Sequence, residues 1–262
     1  MGIADINRFP LSQAREAGII MGKALFITGT GTDVGKSSLS LALLLWARER
    51  GLPAAYAKPV QCGFSDFGDP AIRGGDADWI GLVSGEPQPA HVIYRLRMPA
   101  SPHLAAEREG IVLDPARIRR DLESLREAGG LLVVEGAGGA AVPLNRQGDS
   151  LAQSAASLSM PCLLACAPGL GTLHHTLSTV AYLKSIAAPV AGFAFCHREP
   201  AIPVIGEDNR RTLEDLTGLP FFGALPYSAQ VAMAQPFSRE EASAWIAPLA
   251  GQLDSWWKRP DA

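Results

Sequence analysis

Residues Leu25 to Arg50, LFITGTGTDVGKSSLSLALLLWARER, constrain the fold more than any other stretch of the chain. A compact apolar run from Ala24 to Ile27 passes through a turn rich in glycine and threonine and enters a long apolar helix. Strand, glycine loop, Gly35-Lys36-Ser37 and helix follow the order a phosphate-binding loop requires, because backbone N–H groups in the loop and at the helix start converge with partial positive charge. Thr32, Asp33, Val34, Gly35 and Ser38 belong to that cradle. Lys36 is placed to reach the β- and γ-phosphates, and the Ser37 hydroxyl is placed to hold Mg²⁺. The spacing departs from the strict pattern, since Thr30 stands at the first-glycine position and the glycines fall at Gly29, Gly31 and Gly35. A plain strand-to-helix turn is the bland alternative. Lys36 argues against it, because a cation at a helix N-terminus is unfavourable unless an anion sits there.

The 262 residues suit one large domain, or at most two small ones, and an apolar fraction of 47% supplies a sizeable core. A net charge of −3 excludes a broad electrostatic footprint for nucleic acid or anionic membrane, and no stretch reaches the length of a membrane span. Cys62, Cys162, Cys166 and Cys196 form no close metal-ligand pairs. Cys162 and Cys166 share the apolar run PCLLACAP, where four strand residues hold them roughly 13 Å apart, too far for a bridge. Free thiols and a cytoplasmic location are therefore expected. Residues 1–22 lack both a continuous apolar core and a basic start, which predicts a flexible leader, or synthesis from Met21, ahead of a single α/β domain over 23–262.

Along that domain, a helix runs from Lys36 to about Arg50 and is stopped by Gly51. A second strand, AAYAK, is expected to finish at Lys58, because Pro59 cannot donate to a ladder. Residues 61–75 read as a loop, about 76–83 as a short helix, 86–115 as an irregular connection with one short helix, and about 114–128 as a helix with Pro115 in its first turn. Beyond it, strands at 131–135, 162–167, 190–196 and 221–225 alternate with helices near 150–159, 173–187, 207–217 and 238–257. Apolar strands alternating with helices predict a doubly wound, mostly parallel sheet of about seven strands covered on both faces. In such a sheet polar residues just after the strands converge at one edge. That brings Lys58, Asp76, Asp78 and Glu135 with its GAGG turn towards the phosphate loop. Glu135 and Asp76, with Ser37, are the candidate Mg²⁺ ligands, and Lys58 is a second cation for a transferring phosphoryl group. Acids at a turn or helix start are also ordinary caps. His174 and His175 are adjacent and face different ways on a helix, which argues against a paired-histidine metal site.

Assembled in order, these segments resemble the dethiobiotin synthetase family, a phosphate-loop NTPase fold. GTGTDVGKS is similar to its one-residue-longer loop, YAKPVQCG to its K-P-V segment, SPHLAAEREG to its [ST]-P-H segment, VEGAGG to its acidic strand end and GLGTLHHT to its G-x-L-G-x-[IL]-N-H turn. The resemblance runs from about Ala24 to Tyr227. It implies a ligase acting in biotin biosynthesis on 7,8-diaminononanoate, CO₂ and ATP, through a carbamate and a carbamic-phosphoric anhydride. It further implies catalytic roles for Lys36 and Lys58. Nucleotide contacts are implied for the loop and for Asp76, Glu135, Gly136, Ala137, Gly138, Cys196 and Pro226. Substrate contacts are implied for Thr30, Lys58, Cys62, Gly138, Gly171 and Thr172, the last two reaching across a homodimer interface. Three positions depart from the family pattern: Cys62 stands for Thr or Ser, His174 for Asn, and Cys196 for an Asn that reads adenine. The last predicts loose selection among nucleoside triphosphates. Two rivals share the fold: a related cofactor-biosynthesis ligase with another substrate, and a regulatory ATPase switch, although positions 30–34 lack the early extra lysine that such switches carry.

Overall fold

Period-two alternation along the strands decides which side chain enters which core. The computed structural model describes residues 22–63, 75–85, 90–197 and 203–259. The expected leader falls outside them apart from Gly22, as does most of the loop expected over 61–75. Seven strands form one sheet: β1 (Lys23–Gly29), β2 (Ala54–Cys62), β3 (Ala90–Leu96), β4 (Leu131–Glu135), β5 (Cys162–Cys166), β6 (Val190–Cys196) and β7 (Phe221–Leu225). Their order is β3-β2-β4-β1-β5-β6-β7, and every neighbouring pair is parallel. Leu25, Ile27, Leu131 and Val133 enter one core while Ala24, Phe26, Leu132 and Val134 enter the other, so both faces of the central strands are dry. That two-sided burial is why these strands read as unbroken apolar runs.

Nine helices lie among the described residues: α1 (Lys36–Glu49), α2 (Asp76–Ser84), α3 (Pro102–Glu109), α4 (Pro115–Glu127), α5 (Leu151–Ser157), α6 (Thr172–Ser185), α7 (Pro203–Thr217), α8 (Ala229–Ala232) and α9 (Arg239–Trp257). α1 is apolar nearly all round because it is wedged between the sheet and α9, and Trp46 at its far end donates its indole N–H to Asp254 at 2.9 Å. Caps set several starts. Asp114 accepts from the Ala116 N–H at 2.8 Å with Pro115 in the first turn of α4, and Ser150/Gln153 and Ser238/Glu241 form reciprocal capping boxes on α5 and α9.

Two expectations need correction. β2 does not stop at Lys58 but continues through Pro59 to Cys62. Its pairing with β4 ends at Ala57, and Pro59 is skipped in its pairing with β3, so the missing N–H meets no ladder partner. The stretch 86–115 is not merely an irregular connection with one helix, because residues 90–96 form β3 at the sheet edge. An edge strand is buried less completely, and His91 and Arg95 interrupt the apolar pattern; Val92-Ile93-Tyr94 was the available β signal. The short helix α8, capped by Ser228, was not expected.

Candidate functional site

The C-terminal ends of β1, β2, β4, β6 and β7 open into a cleft of about 890 Å³. Its floor is the turn between β1 and α1. Gly35 there has φ +95°, and a Cβ on it would sit 2.3 Å from the Cys196 Cβ, so only glycine fits both the left-handed backbone and the close approach of β6. Asp33 also adopts a left-handed conformation, φ 57°. Lys36 is buried and folds back over the loop, its Nζ donating to the Gly31 carbonyl at 2.9 Å. Burial holds its ammonium below the ordinary lysine value, with Glu135 opposing that shift.

One wall carries a charge cluster centred on Glu135, which is 0% exposed. Its Oε1 accepts from Lys58 Nζ at 2.6 Å and from Ser37 Oγ at 2.9 Å, and its Oε2 accepts from Ser40 Oγ and Tyr56 OH, each at 2.9 Å. Four donors offset the cost of taking this carboxylate out of water. Lys58 also meets Asp76 Oδ2 at 2.7 Å and donates to the Gly136 carbonyl at 3.1 Å. Burial alone would depress Lys58, yet Glu135 and then Asp76 carry its pKa above the usual lysine value. Burial likewise pushes Asp76 up, and Lys58 more than reverses it, leaving that carboxyl below the ordinary range. Asp76 itself is docked by Gln61, whose Oε1 accepts from the Asp76 N–H at 3.1 Å.

The Ser37 hydroxyl lies 2.9 Å from Glu135 and 3.2 Å from Asp76, but it has one proton to donate. Its lone pairs, with the two carboxylates, make an all-oxygen donor set of the kind a hard divalent cation takes. Among the described residues no group of three or more His, Cys, Asp or Glu side chains could hold a metal ion. A cation here would thus lean on the hydroxyl and on oxygens supplied by a ligand.

Most residues singled out from the sequence meet at this cleft. Thr32, Asp33, Gly35, Lys36, Ser37 and Ser38 line its floor; Lys58, Cys62, Asp76, Glu135, Ala137 and Gly138 line one side; and Cys196 and Pro226 line the other. Val34 instead packs inward against Gly29, Gly136 contributes its carbonyl to Lys58, and Thr30 donates its N–H to the Ala165 carbonyl at 3.3 Å. Gly171 and Thr172 start α6 away from the cleft, with Gly171 exposed and Thr172 buried against Thr176. The four thiols are free, and burial raises those of Cys62 to about 11 and of Cys162 and Cys166 to about 12. Sequence reasoning missed Tyr56, Ser40 and Gln61. The signal was periodicity: Tyr56 is two strand residues before Lys58, and Ser40 is three helix residues after Ser37, so each shares a face with a residue already singled out.

A parallel sheet whose first strand feeds a glycine loop and a lysine-bearing helix start, with a buried acid on the adjacent strand, defines a P-loop nucleotide-binding protein. A family model described as an AAA domain matches residues 23–235. The chain is 36% identical over 210 residues to the ATP-dependent dethiobiotin synthetase BioD of Halalkalibacterium halodurans, covering 80% of this chain and 86% of that protein. It is 38% identical over 221 residues to the BioD of Novosphingobium aromaticivorans, covering 82% and 95%. The chain belongs to the ATP-dependent dethiobiotin synthetase family. Among solved structures, the cell division ATPase MinD of Pyrococcus furiosus has the same fold, with a TM-score of 0.57 at 15% identity, covering 90% of this chain and 100% of that one. MinD of Pyrococcus horikoshii, solved in complex with Mg-ADP, gives 0.55 at 14% identity, covering 92% and 98%. No helix among the described residues is long and apolar enough to cross a membrane.

Proposed function

We propose that this chain makes dethiobiotin from 7,8-diaminononanoate, CO₂ and ATP. One amine of the diamine takes up CO₂ and loses a proton, giving a carbamate. A carbamate oxygen attacks the γ-phosphorus, the bond to the β–γ bridging oxygen breaks, and ADP leaves. The second amine then attacks the carbonyl carbon of the mixed anhydride and expels phosphate, closing the ring. Each step builds negative charge on oxygen, so positioning and fixed positive charge account for most of the rate.

The observation that carries this reading is the meeting of two lysines at one cleft: Lys36 folded over the phosphate loop and Lys58 held 2.6 Å from Glu135 and 2.7 Å from Asp76. In this reading Lys36 and the loop N–H groups, from Thr32 to Ser38, grip the triphosphate, and Lys58 faces the carbamate and the γ-phosphoryl oxygens. Ser37, Asp76 and Glu135 would hold Mg²⁺, which supplies charge neutralisation at the β- and γ-phosphates. Mg-ADP in the Pyrococcus horikoshii neighbour supports the nucleotide–metal pairing on this fold. Cys62 and Gly138 are assigned to the diamine side of the cleft, and Ala137 and Pro226 to the nucleotide. The exposed Gly171 turn at the start of α6 offers backbone N–H groups for the substrate carboxylate of a second copy, in a cytoplasmic homodimer.

The test is an assay with diaminononanoate, bicarbonate, MgCl₂ and ATP, following the ring-closed product by mass and ADP by coupled absorbance. Product and ADP in equal amounts, dependent on all four components, are expected. ADP release that ignores the diamine would instead favour a regulatory ATPase, and turnover with a different amine or acid a related ligase.

A further inference from the structure

We infer that Gln61 is a positioning residue whose side-chain amide sets Asp76 where Lys58 and a divalent cation need it, an assignment that rests on the ATP- and Mg²⁺-dependent reading above. The two acids of the cleft are carried differently. Glu135 ends β4, a strand paired on both sides, and its carboxylate is surrounded by four donors. Asp76 is instead the first residue of α2, and its carboxylate meets Lys58 Nζ at 2.7 Å and Ser37 Oγ at 3.2 Å. Those two partners are the groups that a bound triphosphate and its cation draw on, so the placement of Asp76 has to come from its backbone.

β2 makes the tie. A helix start leaves its first N–H groups without partners inside the helix, and the N-cap of α2 is Gly75, which has no side chain to offer. Gln61 supplies the missing cap from the strand, its Oε1 accepting from the Asp76 N–H at 3.1 Å. The other end of the same amide is engaged too, Nε2 donating to the Cys62 carbonyl at 2.9 Å, so its orientation is fixed from both ends. The strand beneath is itself held: Gln61 and Cys62 pair with Arg95 and Leu96 of β3, and the Gly63 N–H donates to the Met98 carbonyl at 3.2 Å. The approach to α2 is shaped around this amide. Gly75 has φ +83°, and a Cβ on it would lie 2.6 Å from the Gln61 Cδ, so any other residue there would push the amide away from Asp76. Gln61 is buried at the cleft wall with both polar ends of its amide bonded to the protein. It acts through Asp76 and not on the reacting atoms.

Gln61→Met keeps the length of the side chain and removes its acceptor, whereas Gln61→Glu keeps an acceptor oxygen. The parent, these two variants, Asp76→Asn and the double variant Gln61→Met with Asp76→Asn are compared by two measurements. Mn²⁺ titrated into the ADP-bound proteins and followed by its EPR signal reads the cation site, and urea unfolding in EDTA reads the metal-free cluster. Gln61→Met is expected to weaken Mn²⁺ binding about tenfold or more, the usual loss for a group that orients a metal ligand. Gln61→Glu recovers part of that loss, and Gln61→Met adds little once Asp76→Asn is present. In turnover the loss falls on the Mg²⁺ concentration required, and the KM for the diamine stays that of the parent. In EDTA, Asp76→Asn lowers the unfolding midpoint of the parent more than that of Gln61→Met. Unchanged Mn²⁺ affinity in Gln61→Met, a full further loss in the Asp76→Asn background, or a Gln61→Glu protein no better than Gln61→Met would each overturn the assignment. A parent that binds no Mn²⁺ with ADP sinks the reading of the site. Unequal Asp76→Asn losses in EDTA would then still support the placement of Asp76 by Gln61, and equal losses would sink that as well.

Discussion

Replacing Lys58 by methionine keeps much of its aliphatic length and deletes its charge. In the parent that ammonium lies 2.6 Å from a carboxylate with 0% exposure and 2.7 Å from a second one. Removing one partner of a buried ion pair costs about 3–5 kcal/mol, because the remaining charge stays buried and uncompensated. At about 2–4 °C per kcal/mol for a domain of this size, Tm should fall by about 6–20 °C. The sign of the pH dependence follows from the two shifts. Lys58 is raised in the folded protein, so its contribution is complete below the unfolded value of 10.5 and is lost only as pH rises through the folded value. Asp76 is depressed, so its contribution is complete above the unfolded value of 3.8 and is lost as pH falls through its lower folded value. The stability gap between parent and Lys58→Met should thus be flat from about pH 5 to about pH 9. Thermal and urea unfolding followed by circular dichroism in EDTA would measure it. Adding Glu135→Gln should cost less than the two single losses summed, by about 0.5–3 kcal/mol of coupling. A loss below about 1 kcal/mol, the range of a surface pair, would refute the claim that this cluster is a buried, mutually dependent unit.

Lys36→Ala and Lys58→Ala should each abolish product formation, by about 10²-fold or more; normal turnover in Lys58→Ala would remove it from the chemistry. Tyr56→Phe should lose about 1.5–3 kcal/mol of stability, because Glu135 Oε2 then keeps only Ser40, and equal unfolding midpoints for parent and variant would contradict that bond. Of the four thiols, Cys62 alone is not buried and it borders the cleft. Native protein should therefore react slowly at one thiol with a thiol reagent, more slowly still with the diamine bound, and mass mapping that finds Cys162 or Cys166 labelled first would be inconsistent with the fold.

What was readable in the sequence divides along burial. Strands sandwiched between two cores, such as LLVV and CLLAC, betray themselves by continuous apolarity, and the loop betrays itself because glycine and lysine at fixed spacing answer one chemical need. β3 was lost because an edge strand is not required to be apolar on both sides, so its His91 and Arg95 carry no penalty. The end of β2 was misplaced because a proline is judged by whether a neighbour needs its N–H, and neither β4 nor β3 does at Pro59. The site followed the same logic. Ionisable residues were legible one by one, as Lys58 within β2, Asp76 at the start of α2 and Glu135 at the end of β4 were, but their dependence on one another was not. Tyr56 and Ser40 look like ordinary core and helix residues until Glu135 is seen to be wholly buried. A carboxylate with no access to water must find its donors within the protein, and on these elements the groups able to reach it share the faces of Lys58 and Ser37. It follows that a change in the face presented by β2 or α1 would move the candidate ligands and their supports together, so substitutions at Tyr56 and Ser40 should alter the cleft's chemistry although neither side chain lines it.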